Sequence, residues 1–341
     1  MRVSLRERPT EVEIRCHPGV LGAHNRVMST RSLIRALALL SVPVVATTAF
    51  STTAIAAPKV KPPTPTKPVY VALGDSYAAG VGAGSYLSDR TDCHRSLKGY
   101  PGLIASAGGY ALNLQACSGA DIADVASLQL GALATAKPAK VTITVGGNDV
   151  GFADTMSTCL GSDTGACLAA VATAEAVIAD TESTTGLPAR LGKLFLDVKA
   201  KSPATATIVA TGYPQLLSTT RPECSLLTSF TLEEVNALNT AASHLDALIK
   251  TKADEAGIGY ATVEDDFLGH EVCTSSPWIN NVRVLTPFES FHPNSTGYAS
   301  GYKPDVAAAL RATTTSTSTM TITTGGQTSS DTKRGTVKAT R

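Results

Sequence analysis

The stretch VYVALGDS, residues 69–76, opens the part of the chain that has the pattern of a folded domain. Its first five residues are apolar, with the β-branched and aromatic side chains that are typical of a buried strand. Similar runs recur, separated by segments of helical pattern, at Ala111 to Leu114, Ala139 to Val145, Thr205 to Thr211 and Ile258 to Val263. Strands that are apolar on both faces and alternate with helices indicate a parallel sheet covered on both sides. We therefore predict an α/β fold, a three-layer α/β/α sandwich around a central, mainly parallel five-stranded sheet.

The clearest helix signal begins at Thr231, with Glu234 three residues later in the arrangement of a capping box. Apolar side chains then recur at helical spacing, at Leu232, Val235, Leu238, Ala242, Leu245 and Ile249. Gly257 follows this stripe and predicts the end of the helix, because glycine readily adopts the left-handed conformation of a C-terminal cap.

The N-terminal part of the chain has the pattern of an export signal. Residues 28–57 carry arginines, then an apolar stretch, then Ala54-Ile55-Ala56, the order of a secretory signal peptide cleaved near Ala56 or Ala57. The apolar stretch contains Pro43 and is shorter than the ~20 residues of a membrane span, so we expect cleavage rather than a membrane anchor. Residues 1–27 are charged and show no periodicity, so we expect a non-structural upstream segment and treat Met28 as an alternative start.

The remaining boundaries follow from composition. Residues 58–68, PKVKPPTPTKP, form a proline-rich linker. Residues 313–341 are mainly Thr and Ser, too polar to bury a core, and predict a disordered tail. Residues 69–312 then form one domain. We expect a secreted, extracellular monomer, with association to the cell envelope left open.

Charge and composition limit the class of partner. The formal net charge of the chain is +1, and only 5% of its residues are aromatic. Such a chain has no strong electrostatic field to attract nucleic acid and few rings on which bases could stack. We therefore predict no nucleic-acid partner and expect neutral or apolar ligands.

The cysteines are consistent with export. Of seven cysteines, Cys16 precedes the predicted signal, which leaves six in the mature chain. An even number in an exported protein indicates three disulfides, and sequential pairing is the simplest of the possible connectivities. No two cysteines have the two-residue spacing of common zinc sites, so we predict no metal site. We also expect no cofactor, because the serine chemistry described below needs none.

Three strand ends carry residues suited to nucleophilic catalysis. They are Gly74-Asp75-Ser76, Cys117-Ser118-Gly119-Ala120 and Gly146-Gly147-Asn148-Asp149. Ligands of open parallel sheets bind beyond the carboxyl ends of the strands, and a serine there needs a base to take its proton. Among the histidines of the mature chain, we select His292, which lies in a loop near the end of the domain. We expect structural roles for His94, His244, His270 and Trp278, although His270 and Trp278 could line an acyl-binding cleft.

Each of these loops alone is typical of an ordinary turn, but their occurrence together resembles the four blocks of the SGNH, or GDSL-type, hydrolases. Cys93-His94-Arg95-Ser96 and the Gly146-Gly147-Asn148-Asp149 block are similar to those of secreted actinobacterial lipases and esterases. The resemblance covers about residues 69–312 and implies a flavodoxin-like SGNH hydrolase fold. It also implies the disulfides Cys93–Cys117, Cys159–Cys167 and Cys224–Cys273.

The resemblance further implies a role for each matched residue. Ser76 would be the nucleophile, and His292 the general base and acid. The amides of Ser76 and Gly119 and the side chain of Asn148 would form the oxyanion hole, and we expect Asp75 to fix its loop rather than to act as an acid. The family usually has Asp three residues before the histidine, where this chain has Glu289, so either Glu289 or the main-chain carbonyl of Ser290 would orient His292; we favour the carbonyl slightly.

We thus predict a secreted serine ester hydrolase, a lipase or carboxylesterase that forms an acyl-enzyme with a small-molecule or lipid ester. A carbohydrate acetyl esterase of the same mechanism and a catalytically silent surface-binding module are the alternatives. No stable membrane span is expected after signal cleavage. If the pKa of His292 is the ordinary ~6.5, activity falls as the pH drops through that value.

Overall fold

Five parallel strands form the central sheet in a computed structural model of the protein. The structure describes residues 66–312 except residues 90, 162, 221, 222, 226 and 227, and no side chain at 223–225 or 228 is described. The strands are β1 (Val69–Gly74), β2 (Ala111–Leu114), β3 (Lys140–Thr144), β4 (Thr207–Thr211), the short antiparallel pair β5 (Glu223–Ser225) and β6 (Thr228–Ser229), and β7 (Gly259–Ala261). The predicted upstream segment, the predicted signal peptide, residues 58–65 of the predicted linker and the predicted tail lie outside the described residues.

The sheet order is β2-β1-β3-β4-β7, with every neighbouring pair parallel. This confirms the prediction of a parallel five-stranded sheet in a flavodoxin-like arrangement. The last strand is shorter than the predicted run of residues 258–263. It lies at the sheet edge and pairs only with β4, over Gly259 to Ala261, after which the chain leaves the sheet for a 3-10 helix at Asp265–Phe267.

Helices cover the sheet. They are α1 (Ser76–Ala79), α2 (Tyr100–Gly108), α3 (Ile122–Asp124), α4 (Gly131–Ala136), α5 (Phe152–Cys159), α6 (Thr164–Ala179), α7 (Leu187–Lys201), α8 (Leu232–Ala256) and α9 (Lys303–Ala312). Helices α2 and α9 pack on each other, and α7 packs on both α4 and α8, which gives the two outer layers of the predicted sandwich. Within the described residues, no helix is both long and apolar enough to cross a membrane.

Helix α8 begins as its sequence predicts. The Thr231 hydroxyl accepts a hydrogen bond from the Glu234 amide at 3.2 Å, and the Glu234 carboxylate accepts one from the Thr231 amide at 2.8 Å. Gly257 ends the helix with a φ of 63°. The buried side chains Val235, Leu245 and Ile249 lie on its inner face, and this face also forms one wall of the pocket described below.

The strand order fixes where a site can form. After β1 the chain continues to β2 on one side, and β3 then lies on the other side of β1. The connections that leave the carboxyl ends of β1 and β3 therefore diverge and open a crevice at this edge of the sheet. The loops that carry Ser76 and Asn148 both begin here.

Candidate active site

The turn after β1 is fixed by close backbone contacts. Gly74 has a φ of +123°, and a Cβ added to it would lie 2.0 Å from the Thr144 carbonyl oxygen, so only glycine fits. The buried Gln129 side chain accepts a hydrogen bond from the Gly74 amide at 2.7 Å and donates one to the Gly74 carbonyl at 2.8 Å. The chain is thus turned sharply, and Ser76 becomes the first residue of α1, where backbone amides have no partner within the helix.

His292 lies beside Ser76. Its Nε2 is 2.7 Å from Ser76 Oγ, and its Nδ1 is 2.9 Å from the Ser290 carbonyl oxygen. A carbonyl can only accept a hydrogen bond, so Nδ1 carries the proton and Nε2 is left to accept the serine proton. The arrangement is a serine and a neutral imidazole held by a main-chain carbonyl, which is the chemistry of an activated nucleophile.

Burial changes the titration of this histidine. It lowers the pKa of His292 to about 4, although the Ser290 carbonyl and the charge of Glu289 act in the opposite direction. The ordinary value of ~6.5 applies to an unperturbed histidine, and this imidazole is perturbed by its burial. The imidazole is neutral, and able to accept a proton, down to a more acidic pH.

Glu289 contacts other residues than the histidine. One carboxylate oxygen accepts a hydrogen bond from the Tyr86 hydroxyl at 2.5 Å, and the other accepts one from the Thr286 hydroxyl at 2.8 Å. Of the two groups considered from sequence, the Ser290 carbonyl is the one in hydrogen-bond contact with His292. Glu289 instead connects the loop that carries His292, residues 289–292, to the segment that follows α1.

Asp75 is buried and satisfied by two donors. It accepts a hydrogen bond from the Tyr77 amide at 2.9 Å and one from the Tyr213 hydroxyl at 2.5 Å. The Tyr213 hydroxyl in turn accepts a hydrogen bond from the Gly147 amide at 3.0 Å. Burial raises the pKa of Asp75 to about 7. Asp75 and Tyr213 thus join the loops that follow β1, β3 and β4, which is the structural role expected for Asp75.

Sequence reasoning missed Tyr213. It follows β4 in the run Thr211-Gly212-Tyr213-Pro214, at the same edge of the sheet as the loops already singled out. The rule that sites form beyond the carboxyl ends of parallel strands applies to β4 as well as to β1, and was the signal that could have found it.

The second loop is a tight turn. The Ala120 amide donates to the Cys117 carbonyl at 3.1 Å, and Gly119 has a φ of +80°, as in a type II turn, whose third position favours glycine. The disulfide between Cys93 and Cys117 anchors the start of this turn. Gly119 lies at the sheet edge that also carries Ser76. Because it is a glycine, no side chain of its own covers its backbone there.

The third loop is bonded to the second. Asn148 Nδ2 donates to the Ala120 carbonyl at 2.9 Å, and because a side-chain amide has two hydrogens, one hydrogen is not used by this bond. The next residue, Asp149, accepts hydrogen bonds from the Ile122 amide at 3.1 Å and from Arg190 at 2.6 Å. These contacts fix the direction of the Asn148 side chain.

The model of the GDSL-like Lipase/Acylhydrolase family matches residues 72–300. The chain belongs to this family. The predicted resemblance to the GDSL-type hydrolases is confirmed, and the protein is a hydrolase of ester bonds.

Relatives of this GDSL-type hydrolase come from Streptomyces. It is 42% identical over 238 residues to Lipase 1 of Streptomyces coelicolor, a match that covers 69% of this chain and 84% of that protein. It is 40% identical over 241 residues to a lipase of Streptomyces rimosus, with 70% and 86% of the two chains covered.

Two solved structures share its fold. The extracellular lipase of Streptomyces rimosus has a TM-score of 0.65 and 38% identity, covering 71% of this chain and 99% of that one. Phospholipase A1 of Streptomyces albidoflavus NA297 has the same TM-score and identity, covering 72% and 100% of the two chains.

An apolar pocket adjoins the serine of this hydrolase. It begins at Ser76 and Asn148 and runs between α5, α6 and α8. Its walls are almost entirely apolar and include Met156, Val171, Ile178, Leu216, Leu238 and Leu245. Leu238 and Leu245 are two helical turns apart, so this wall extends about 10 Å along α8.

The other histidines lie in structural contacts. His94 stacks on Phe288 with ring centroids 3.9 Å apart, and His270 stacks on Trp278 at 3.8 Å. His244 pairs with Glu175 at the surface. His270 and Trp278 are not part of the pocket wall, so the suggestion that they line an acyl-binding cleft is not supported.

The disulfides can be compared with the implied pattern. Cys93 is bonded to Cys117, and Cys159 to Cys167. Cys273 is also disulfide-bonded, and the side chain of its expected partner, Cys224, lies outside the described residues. The Cys159–Cys167 bond joins α5 to α6 and so braces one side of the pocket.

Proposed function

We propose that this hydrolase is a secreted lipase or carboxylesterase that works through an acyl-enzyme on Ser76. The observation that carries the proposal is the hydrogen-bonded series Ser76–His292–Ser290, in which the base is neutral and correctly protonated to accept the serine proton.

In the proposed reaction, Ser76 Oγ attacks the ester carbonyl while its proton passes to His292 Nε2. The oxyanion that forms is stabilised by the amides of Ser76 and Gly119 and by the Asn148 side chain. His292 then gives its proton to the leaving alcohol, and the acyl-enzyme remains. Water, activated by the same imidazole, attacks the acyl-enzyme, and the acid and free Ser76 are released.

The apolar pocket favours esters of apolar acids. Each CH2 that it buries is worth about 0.8 kcal/mol, equivalent to roughly fourfold in kcat/KM at most. The names of the relatives, lipases and a phospholipase A1, agree with such substrates. A carbohydrate acetyl esterase would gain nothing from this pocket, and a silent binding module has no need of an activated serine.

Hydrolysis of a series of p-nitrophenyl esters tests this proposal. We expect kcat/KM to rise from the acetyl through the butyryl to the octanoyl ester, and Ser76→Ala to abolish turnover on each. A preference for acetylated sugars over the octanoyl ester would favour the carbohydrate esterase. Turnover that persists in Ser76→Ala would refute the proposed nucleophile.

Export is tested separately. Residues 28–57 have the pattern of a signal peptide, and one structural relative is described as extracellular. We expect the protein in the culture medium to begin near Pro58, after cleavage near Ala56 or Ala57. Retention of the segment in cells, uncleaved, would contradict secretion.

A further inference from the structure

The loop from Arg283 to Ser290, here called the histidine-side loop, exposes apolar side chains at its tip. The Arg283 amide donates to the Ser290 hydroxyl at 2.8 Å, so the two ends of the loop are held together. Between them, the Val284 side chain is 68% exposed and that of Leu285 is 95% exposed. Single exposed leucines are common on protein surfaces, but here two neighbouring apolar residues protrude together.

Further contacts fix this loop to the body of the protein. Phe288 stacks on His94 and lies 5.6 Å from the Tyr86 ring, and Glu289 accepts the Tyr86 hydroxyl hydrogen bond. The tip therefore protrudes from an anchored base.

The histidine-side loop is continuous with the reaction centre. Its last residue, Ser290, supplies the carbonyl that holds His292, and His292 is hydrogen-bonded to Ser76. The exposed Leu285 is five residues from that carbonyl. A partner surface that binds the tip of the loop would therefore lie on the same side of the molecule as Ser76.

We propose that Val284 and Leu285 insert into the surface of an aggregated lipid ester and so dock the enzyme on its substrate. This inference rests on the proposed function, because it assigns the aggregated form of the ester as the substrate. Two protruding side chains are too small for a stable protein interface, which buries on the order of 1,000 Å² or more. Their apolar side chains suit shallow insertion among acyl chains.

The test compares Leu285→Ser with a control variant, Leu196→Ser. Leu196 is also an exposed leucine, 55% accessible, but it lies on α7. The double variant Val284→Ser/Leu285→Ser enlarges the effect. Binding to phosphatidylcholine vesicles is measured by co-sedimentation in a Ser76→Ala background, which prevents hydrolysis during the assay. Activity is measured on p-nitrophenyl butyrate below its solubility limit and on an emulsified triglyceride.

We expect the double variant to bind vesicles about tenfold or more weakly, from the loss of apolar burial by two side chains, and to lose activity on the emulsion in proportion. The kcat/KM of the double variant on the dissolved ester stays within about twofold of wild type. Leu196→Ser changes neither vesicle binding nor activity on the emulsion. Absence of vesicle binding by the wild-type loop, equal losses in Leu285→Ser and Leu196→Ser, or an equal loss on dissolved ester would each overturn the proposal. Failure of the proposed function differs, because then Ser76→Ala would still hydrolyse the dissolved ester.

Discussion

The nucleophile loop, residues 74–77, and the histidine loop, residues 289–292, are held in place in the same way but in different surroundings. Each has a carboxylate close to a proposed catalytic residue, and in each a tyrosine hydroxyl donates to that carboxylate, Tyr213 to Asp75 and Tyr86 to Glu289. Asp75 is buried, whereas Glu289 is half-exposed. Both carboxylates therefore hold loops, and the proposed chemistry is left to a serine, an imidazole and a main-chain carbonyl.

Among variants that keep both Ser76 and His292, the largest effect is expected from Asn148→Ala, which removes a proposed oxyanion donor on the nucleophile side and leaves the histidine loop unchanged. Loss of one such donor costs roughly 10²–10³-fold in kcat. Steady-state kinetics on a dissolved ester would measure it, with KM expected to change little. A fall of less than about fivefold would remove Asn148 from the oxyanion hole.

The pH profile tests the histidine side. Since burial lowers the pKa of His292 to about 4, the imidazole remains mostly neutral at pH 5, and kcat/KM there should be within about twofold of its value at pH 7. For a histidine with the ordinary pKa of ~6.5, kcat/KM would fall roughly 25-fold over the same interval. That steeper loss, measured on an enzyme that remains folded at pH 5, would contradict the burial argument.

Asp75→Asn tests the effect of burying this carboxyl group on the stability of the fold. The pKa of Asp75 is raised from 3.8 to about 7 in the folded state, so the fold favours the protonated carboxyl and loses stability as the pH rises from about 4 to 7. The variant has no such titration. Over this interval, the unfolding free energy of the wild type should therefore fall by roughly 2–4 kcal/mol relative to that of the variant. Urea unfolding at each pH measures this difference. A difference that is independent of pH would show that Asp75 titrates normally.

Glu289→Gln should have the smallest effect. The amide keeps the shape of the side chain, and neither carboxylate oxygen bonds to His292, so we expect kcat within about threefold of wild type. Glu289→Ala is the matched control, because it also removes the contacts with Tyr86 and Thr286 and should lower the melting temperature. A loss of several hundredfold in Glu289→Gln would place the carboxylate in the catalytic machinery.

Local pattern was enough to predict much of this molecule. The apolar runs located the strands of the sheet, and Thr231 with Glu234 predicted the start of α8, because these signals depend on neighbours in sequence. The partners of the two carboxylates could not be predicted in this way. Tyr213 is 138 residues from Asp75, and Glu289 is 203 residues from Tyr86, so only the folded chain decides which hydroxyl reaches which carboxylate.

The pocket was also beyond prediction from sequence. The stripe on α8 was recognisable as an apolar face, but whether such a face packs solidly or borders a space depends on α5 and α6. The pKa of His292 depends in the same way on burial by distant segments. These are properties of packing, and no spacing within one segment encodes them.

Activation of Ser76 by His292 can be measured by labelling the protein with an organophosphonate, because only an activated serine reacts with this reagent. We predict that intact-mass measurement shows one adduct per chain, that peptide mapping assigns it to Ser76, and that His292→Ala reacts far more slowly while Glu289→Gln reacts like wild type. No adduct on the folded wild-type protein, or an adduct on another residue, would contradict the account.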